Sequence, residues 1–99
     1  MLTIGNNKHS RLRLVWIDIC GDPTTIGADE FNKMRCCEIV TECFLYDVIT
    51  LEKRQYVRTF ASYQVKDDYA YGDRNIYPIE VFTSESQHKI RKAWKNQKK

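Results

Sequence analysis

The chain has 99 residues, of which 42% are hydrophobic and 29% are charged, and its formal net charge is +3. This composition is ordinary for a globular protein, and a chain of this length forms a core but no deep cleft of its own. No apolar run approaches the roughly 20 residues that cross a bilayer, so we expect no membrane insertion. We predict a single domain over residues 1–99.

The basic residues are concentrated at the C-terminus. Residues 88–99 hold six of the sixteen Lys and Arg side chains and no Asp or Glu. The other 87 residues carry ten basic and thirteen acidic side chains, a net charge of −3. Charge asymmetry steers association without determining a fold. The chain is therefore expected to bind a partner that has a charged surface.

The first third of the chain predicts one strand and one short helix. Residues 1–10 are polar and are expected to form a loose N-terminus. The run RLRLVWIDIC over 11–20 is rich in β-branched and large apolar residues, which predicts a strand that a Gly-Asp-Pro turn ends. A helix is expected over 28–35, with Asp29 and Glu30 at its positive N-terminal end.

Three further strands and a second helix follow. The strands are predicted over 38–49, 55–65 and 76–82, and Pro78 confines the last one to an edge, a bulge or a break. The helix is expected to begin at Ser84 as its N-cap, with a glutamine three residues later completing a capping box.

A small antiparallel sheet of this kind usually curls to cover its faces and protect its edges. We therefore predict a mainly β (α+β) fold with an SH3-like or Sm-like antiparallel barrel over 11–82. One short helix follows the first strand, and a basic C-terminal helix and tail occupy 83–99.

The cysteines carry no metal-site spacing. They lie at Cys20, Cys36, Cys37 and Cys43, and we expect buried, reduced structural thiols rather than metal ligands. The N-terminus lacks the charged start and the apolar stretch of a signal peptide, which predicts a cytoplasmic protein.

The sequence contains no recognisable catalytic motif. The two histidines, His9 and His88, accompany no nucleophile motif, and the glycines are scattered singly rather than in a phosphate-binding loop. Asp67, Asp68 and Asp73 lack the spacing of a calcium-binding loop and are expected to form a solvated turn. We predict a non-enzymatic protein with no cofactor and no metal.

A pattern of short motifs runs along the chain. Its parts are Trp16-Ile17-Asp18-Ile19, Asp22-Pro23-Thr24, Asp29-Glu30, Cys37, Phe44-Leu45 and Tyr77-Pro78-Ile79-Glu80-Val81. Over residues 12–82 this pattern resembles a group of short, mostly uncharacterised bacteriophage accessory proteins. The chain departs from the group at Cys43, where a glycine is usual, and at Tyr77, where an isoleucine is usual. The resemblance implies a small β-rich phage protein that acts on the host cell.

The leading functional hypothesis is a phage-type accessory protein that binds and modulates a host protein, in host takeover or anti-defence. Tyrosine, tryptophan and arginine are frequent contact residues at interfaces. The contacts are therefore predicted at Tyr69, Tyr71, Arg91, Trp94 and Lys95. A homodimer is possible because a small barrel leaves strand edges that a symmetry mate can pair.

Two alternatives remain open beside it. The basic helix predicts nucleic-acid binding by Lys89, Arg91, Lys92, Trp94 and Lys95 through phosphate contacts and stacking, unless it is only a solubilising end. An oligomeric sponge for a nucleotide signal is the other alternative, with Arg58, Arg74 and the tyrosines supplying phosphate and base contacts.

Overall fold

The computed structural model of the chain describes residues 1–65 and 70–98. Its strands are β1 (Leu2–Ile4), β2 (Asn7–His9), β3 (Arg11–Asp18), β4 (Cys37–Leu51), β5 (Arg54–Phe60), β6 (Ser62–Gln64), β7 (Ala70–Gly72) and β8 (Asn75–Pro78). Its helices are α1 (Ala28–Phe31) and α2 (Ser84–Gln97), and a single 3₁₀ turn covers Ile79–Val81. Neither of these helices, within the two described ranges, is long and apolar enough to span a bilayer.

Four strands form the main antiparallel sheet, in the order β3-β4-β5-β8. The sheet curls until Trp16 of β3 forms an isolated bridge with Phe82, just beyond the last strand. The Thr83 N–H then donates to the Val15 carbonyl at 3.0 Å. The prediction of a mainly β fold with a curled antiparallel sheet and a C-terminal helix is confirmed, and the sheet forms a half-barrel.

The main core lies between one face of this sheet and α2. The sheet contributes Leu14, Cys43, Leu45 and Val57, the segment after β8 contributes Ile79 and Phe82, and the helix contributes Ile90 and Ala93. The Ile90 side chain is 0% exposed. Because the helix supplies buried side chains, it completes the core rather than extending from the domain as a separate basic tail.

Polar side chains fix both ends of α2 to the sheet. Ser86 and Gln97 lie on the same buried helix face as Ile90 and Ala93. The Val15 N–H donates to the Ser86 Oγ at 2.8 Å, and the Ser10 N–H donates to the Gln97 Oε1 at 2.6 Å. These bonds give partners to two partly buried backbone donors, one in β3 and one in the residue before it.

The N-cap of α2 is one residue earlier than predicted. The Thr83 side chain, not that of Ser84, accepts a hydrogen bond from the Ser86 N–H, at 3.3 Å. The Gln87 side chain donates instead to the Phe82 carbonyl at 3.0 Å. The bond to Val15 holds Thr83 extended, which makes Thr83 the last non-helical residue and so the N-cap.

The expected loose N-terminus is corrected to a packed hairpin of β1 and β2. Gly5 turns the chain with a φ of +59°, a conformation that glycine adopts without a steric cost. Ile4 and His9 are only 2% and 3% exposed. The Ser10 carbonyl accepts a hydrogen bond from the Leu45 N–H at 2.9 Å, which joins the hairpin to β4.

The third predicted strand divides into two. β5 ends at Phe60, and the chain leaves the main sheet through Ala61, whose N–H donates to the Gly72 carbonyl at 3.2 Å. β6 then pairs with β7 in a separate two-stranded sheet. The last strand ends earlier than predicted, at Pro78, and lies at the sheet edge where a residue without an N–H is tolerated.

Candidate binding sites

A cluster of aromatic rings surrounds Phe60, which is 1% exposed. Its ring centroid lies 5.0 Å from that of His9, 4.8 Å from that of Tyr71 and 6.4 Å from that of Tyr46, each in an edge-to-face arrangement. Such pairs stabilise beyond the area that they bury. This aromatic cluster joins the N-terminal hairpin and β7 to the main sheet.

A β-bulge places Tyr46 in the aromatic cluster. The register between β4 and β5 shifts between Leu45 and Asp47, so Tyr46 is the inserted residue. The Leu45 carbonyl accepts hydrogen bonds from the His9 Nδ1 at 2.9 Å and the Gln97 Nε2 at 3.1 Å. Since a carbonyl only accepts, His9 carries its hydrogen on Nδ1. The N-terminal hairpin and α2 thus meet at the bulge.

The bulge also sets the position of a guanidinium group. The Arg58 Nε donates to the Asp47 Oδ1 at 2.7 Å, and an Arg58 terminal nitrogen donates to the Asp47 Oδ2. The Arg58 guanidinium carbon lies 5.3 Å from the ring centroid of Tyr46. Hydrogen bonding to Asp47 raises the pKa of Arg58. A bidentate pair holds the group in one orientation and leaves its second terminal nitrogen available.

A cavity of about 530 Å³ opens beside this pair, and we name it the arginine cavity. Its lining includes Tyr46, Arg58, Phe60, Tyr71, Arg74 and Asn75. Arg58 and Arg74, which the sequence predicts as ligand contacts, therefore line the same cavity. They come together because β5 pairs with β8, which follows Arg74 directly.

The two tyrosines that the sequence predicts as protein contacts, Tyr69 and Tyr71, differ in what the structure shows of them. Tyr69 lies outside the described residues, as do Asp67 and Asp68 of the predicted solvated turn. Tyr71 is half-buried in the wall of the arginine cavity, and burial raises the pKa of its hydroxyl. Asp73 accepts a hydrogen bond from the Ser62 hydroxyl at 2.7 Å. Tyr71 is therefore part of the aromatic cluster rather than a side chain on a free loop.

The predicted contacts on α2 separate into two groups. Lys89, Arg91, Lys92 and Lys95 are all exposed. Trp94 is half-buried against the core, and the Lys98 ammonium lies 5.7 Å from its ring centroid. The helix therefore has a basic outer face, and Trp94 lies at the boundary between that face and the core.

Residues 17–40 form an arm that joins the ends of β3 and β4. α1 lies within this arm and has no buried residue. Large apolar side chains are exposed along the arm: Ile19 by 91%, Phe31 by 66% and Val40 by 48%. The predicted helix over 28–35 is shortened to Ala28–Phe31, and Phe31 does not pack inward.

The arm lines a second, open cavity of about 580 Å³. Ile26, Phe31 and Met34 supply apolar walls, and Asp22 and Arg35 supply charged ones. The Thr24 N–H and hydroxyl both donate to the Asp22 Oδ1, at 2.9 and 2.7 Å, and these bonds lower the pKa of the Asp22 carboxyl. They give the Asp-Pro-Thr turn a defined local geometry.

The expectation of four buried thiols is wrong for three of them. Cys20, Cys36 and Cys37 are exposed in the arm, whereas Cys43 is buried in the core. The neighbouring Cys37 thiol raises the pKa of Cys20, and burial raises the pKa of Cys43 to about 11. In the part of the chain that the structure describes, no group of three or more His, Cys, Asp or Glu residues is placed to hold a metal ion.

Thiol labelling checks this division. In the fully reduced, folded protein, Ellman's reagent should titrate the three arm cysteines at once, and Cys43 only after denaturation, because a buried thiol with a raised pKa is protected twice. Cys43→Ala serves as the control and should abolish the late phase alone. Four thiols reacting together in the folded state would contradict the burial of Cys43.

No protein-family model, curated protein or solved structure matches this chain significantly. The sites therefore stand on their own geometry, and sequence reasoning missed several of their residues. Asp47 and Phe60 gave no motif, and the mixed alternation of β4 was the one signal of the bulge at Tyr46. Phe31 was assigned to the predicted helix over 28–35, so no signal in the sequence indicated that it would be exposed in the arm.

Proposed function

We propose that this chain is a non-enzymatic accessory protein that binds and modulates another protein, and that the arm is its contact surface. The observation that carries the proposal is that Ile26 and Phe31, which are 41% and 66% exposed, line the same recess of the arm. Contiguous apolar side chains that remain in water mark interaction surfaces, whereas isolated ones are ordinary. The cavity between Ile26 and Phe31 offers a recess for an apolar side chain of the partner.

The charge of the arm defines the partner's chemistry. Residues 17–40 carry five acidic and two basic side chains, whereas the rest of the chain carries eight acidic and fourteen basic ones. Complementary charge selects partners and accelerates encounter. The proposed partner is therefore a protein segment with apolar anchors and basic flanking residues.

The motif resemblance supplies the biological setting of the proposal. Ile17-Asp18-Ile19, Asp22-Pro23-Thr24, Asp29-Glu30 and Cys37 all lie in the arm. Part of the motif pattern shared with the bacteriophage accessory proteins therefore lies on the exposed arm, whereas its other parts, such as Leu45 and Ile79, belong to the core. We place the partner in a bacterial host and the protein in the host cytoplasm. An SH3-like or Sm-like barrel is the fold proposed for the sheet, supported by its strand order and its bulge.

The test uses the intact chain and a captured partner. Protein retained from a nuclease-treated bacterial lysate is identified by mass spectrometry, purified, and titrated against the chain by calorimetry. Phe31→Ser should weaken this binding about thirtyfold, which corresponds to the ~2 kcal/mol of an interface hot spot. Its thermal midpoint should not change, because Phe31 is 66% exposed and α1 buries no residue.

The matched control is Ile76→Ser, which removes an apolar side chain that is 54% exposed on β8, outside the arm. Its affinity for the partner should equal that of the unmodified chain. A Phe31→Ser variant with full affinity would overturn the arm as the contact surface. A dimer measured by light scattering that Phe31→Ser dissociates would replace the proposed partner by a second copy.

Nucleic-acid binding by α2 is the second candidate function. The observation that favours it is the exposure of Lys89, Arg91, Lys92 and Lys95 on one helix. Trp94 contributes less than predicted, because its ring is half-buried. Repeating the capture without nuclease tests this candidate. If the chain then retains nucleic acid, and if the amount bound falls steeply as the salt concentration rises, nucleic-acid binding by α2 is favoured over protein binding by the arm.

A further inference from the structure

The arginine cavity presents an oriented hydrogen-bond donor. Asp47 engages the Nε and one terminal nitrogen of Arg58. A guanidinium carries five N–H donors. Within residues 1–65 and 70–98 the other terminal nitrogen of Arg58 has no hydrogen-bond partner, so it can bind an oxyanion while Arg58 stays paired with Asp47. The Tyr46 ring, 5.3 Å away, limits movement on one face of the group. The group therefore needs little reorganisation to accept a ligand.

Arg74 gives the cavity its excess positive charge. Arg58 and Asp47 form an ion pair, so they contribute little net charge together. Arg74 lines the same cavity, and no acidic residue of 1–65 or 70–98 forms an ion pair with it. Asn75 adds an amide that both donates and accepts. The cavity therefore suits an oxyanion flanked by polar groups.

The remaining walls suit a flat ring. Tyr46 and Tyr71 meet edge to face with their centroids 5.0 Å apart, and Phe60 lies behind them. Ile76 adds apolar surface at the rim. The His9 ring stacks on Tyr46, and Arg58 lies over the same ring. Tyr71 is therefore the wall on which a base would stack, an interaction that depends little on the base, and Tyr46 offers its edge. A volume of about 530 Å³ falls within the range of roughly 300–1,000 Å³ typical of small-molecule sites.

We propose that the arginine cavity binds a nucleoside monophosphate. Arg58 and Arg74 hold the phosphate, and the tyrosine walls contact the base. This site is separate from the arm, and the proposal does not depend on the protein-binding function. A nucleotide bound there would contact β4, β5 and the segment between β7 and β8, and would stabilise the folded chain by mass action.

Calorimetry with adenosine, guanosine, cytidine and uridine 5′-monophosphates tests the proposal, alongside the four nucleosides and inorganic phosphate. At least one nucleotide should bind about tenfold more tightly than both its nucleoside and phosphate, since both halves contribute. Arg74→Gln should weaken that binding about tenfold or more, the size of a lost charge-assisted hydrogen bond. Arg74 is exposed, so this variant should fold normally.

The matched control is Arg54→Gln on β5. It removes the same charge from the same strand as Arg58, but its partner is Glu80, and it does not line the cavity. Nucleotide affinity should change less than twofold. The proposal is overturned if no nucleotide binds more tightly than phosphate, or if Arg74→Gln and Arg54→Gln behave alike. Arg74→Gln should retain the arm's protein partner, which separates this test from that of the arm.

Discussion

Replacing Ile90 with alanine is expected to lower the free energy of unfolding by about 2–5 kcal/mol, the usual cost of removing a large apolar side chain from a closed core. Ile90 is 0% exposed and shares one cluster with Leu14, Leu45 and Val57. Its truncation leaves a cavity between α2 and the sheet. Since a small domain is stable by only about 5–15 kcal/mol, the variant should lose a large part of its stability.

Urea unfolding measures this change, followed in parallel by tryptophan fluorescence and far-ultraviolet circular dichroism. The two probes should report one transition, which justifies a two-state free energy. Lys92→Ala is the control, because it truncates an exposed side chain of the same helix and should stay within about 0.5 kcal/mol. Equal effects of the two substitutions would mean that α2 does not complete the core. Until that is shown, binding experiments should keep α2, because its buried side chains are part of the core.

Replacing Phe60 with alanine should lower the free energy of unfolding by about 3–5 kcal/mol, the range for a buried aromatic ring. The loss has a different structural origin from that of Ile90. Phe60 is 1% exposed but lies outside the main core, in the aromatic cluster with His9, Tyr46 and Tyr71. The ring therefore holds the N-terminal hairpin and β7 against the sheet, and its removal should loosen both.

The same urea titration gives the size of the effect, and amide hydrogen exchange gives its location. In Phe60→Ala, the amides of β1, β2 and β7 should lose protection more than those of α2, since local stability follows local packing. Ile76→Ala, at a position that is 54% exposed on the neighbouring strand, is the control and should change neither quantity. A uniform loss of protection would contradict a separate aromatic cluster.

Hydrophobic pattern and local chemistry determined much of this fold. Alternating β-branched and aromatic residues predicted β3, β4 and β5 close to their observed positions. Pro78 restricted the last strand to an edge, a bulge or a break, and that strand lies at the sheet edge. Each of these inferences uses side-chain spacing or backbone restriction within a few residues, and such local preferences persist in the folded chain.

The helix cap shows where local reasoning becomes inexact. A serine before a basic helix is a good N-cap by itself, yet Thr83 holds that position. The hydrogen bond from the Thr83 N–H to the Val15 carbonyl decides it, and these two residues are far apart in the sequence. A long-range bond of this kind leaves no local pattern, so the sequence predicted the helix but not the residue that begins it.

Only the tertiary structure decided which residues are covered and which side chains meet. The polar N-terminus packs as a hairpin because Leu45 and the aromatic rings cover His9. Cys20 and Cys37 are exposed because no element among residues 1–65 and 70–98 covers them. Arg58 and Arg74 share a cavity because β5 pairs with β8, whereas Arg91 and Trp94, three residues apart, differ in burial. The sequence by itself determined the approximate positions of β3, β4 and α2. The long-range pairing of strands, the bulge and the covering segments, which no local pattern encodes, determined the sites.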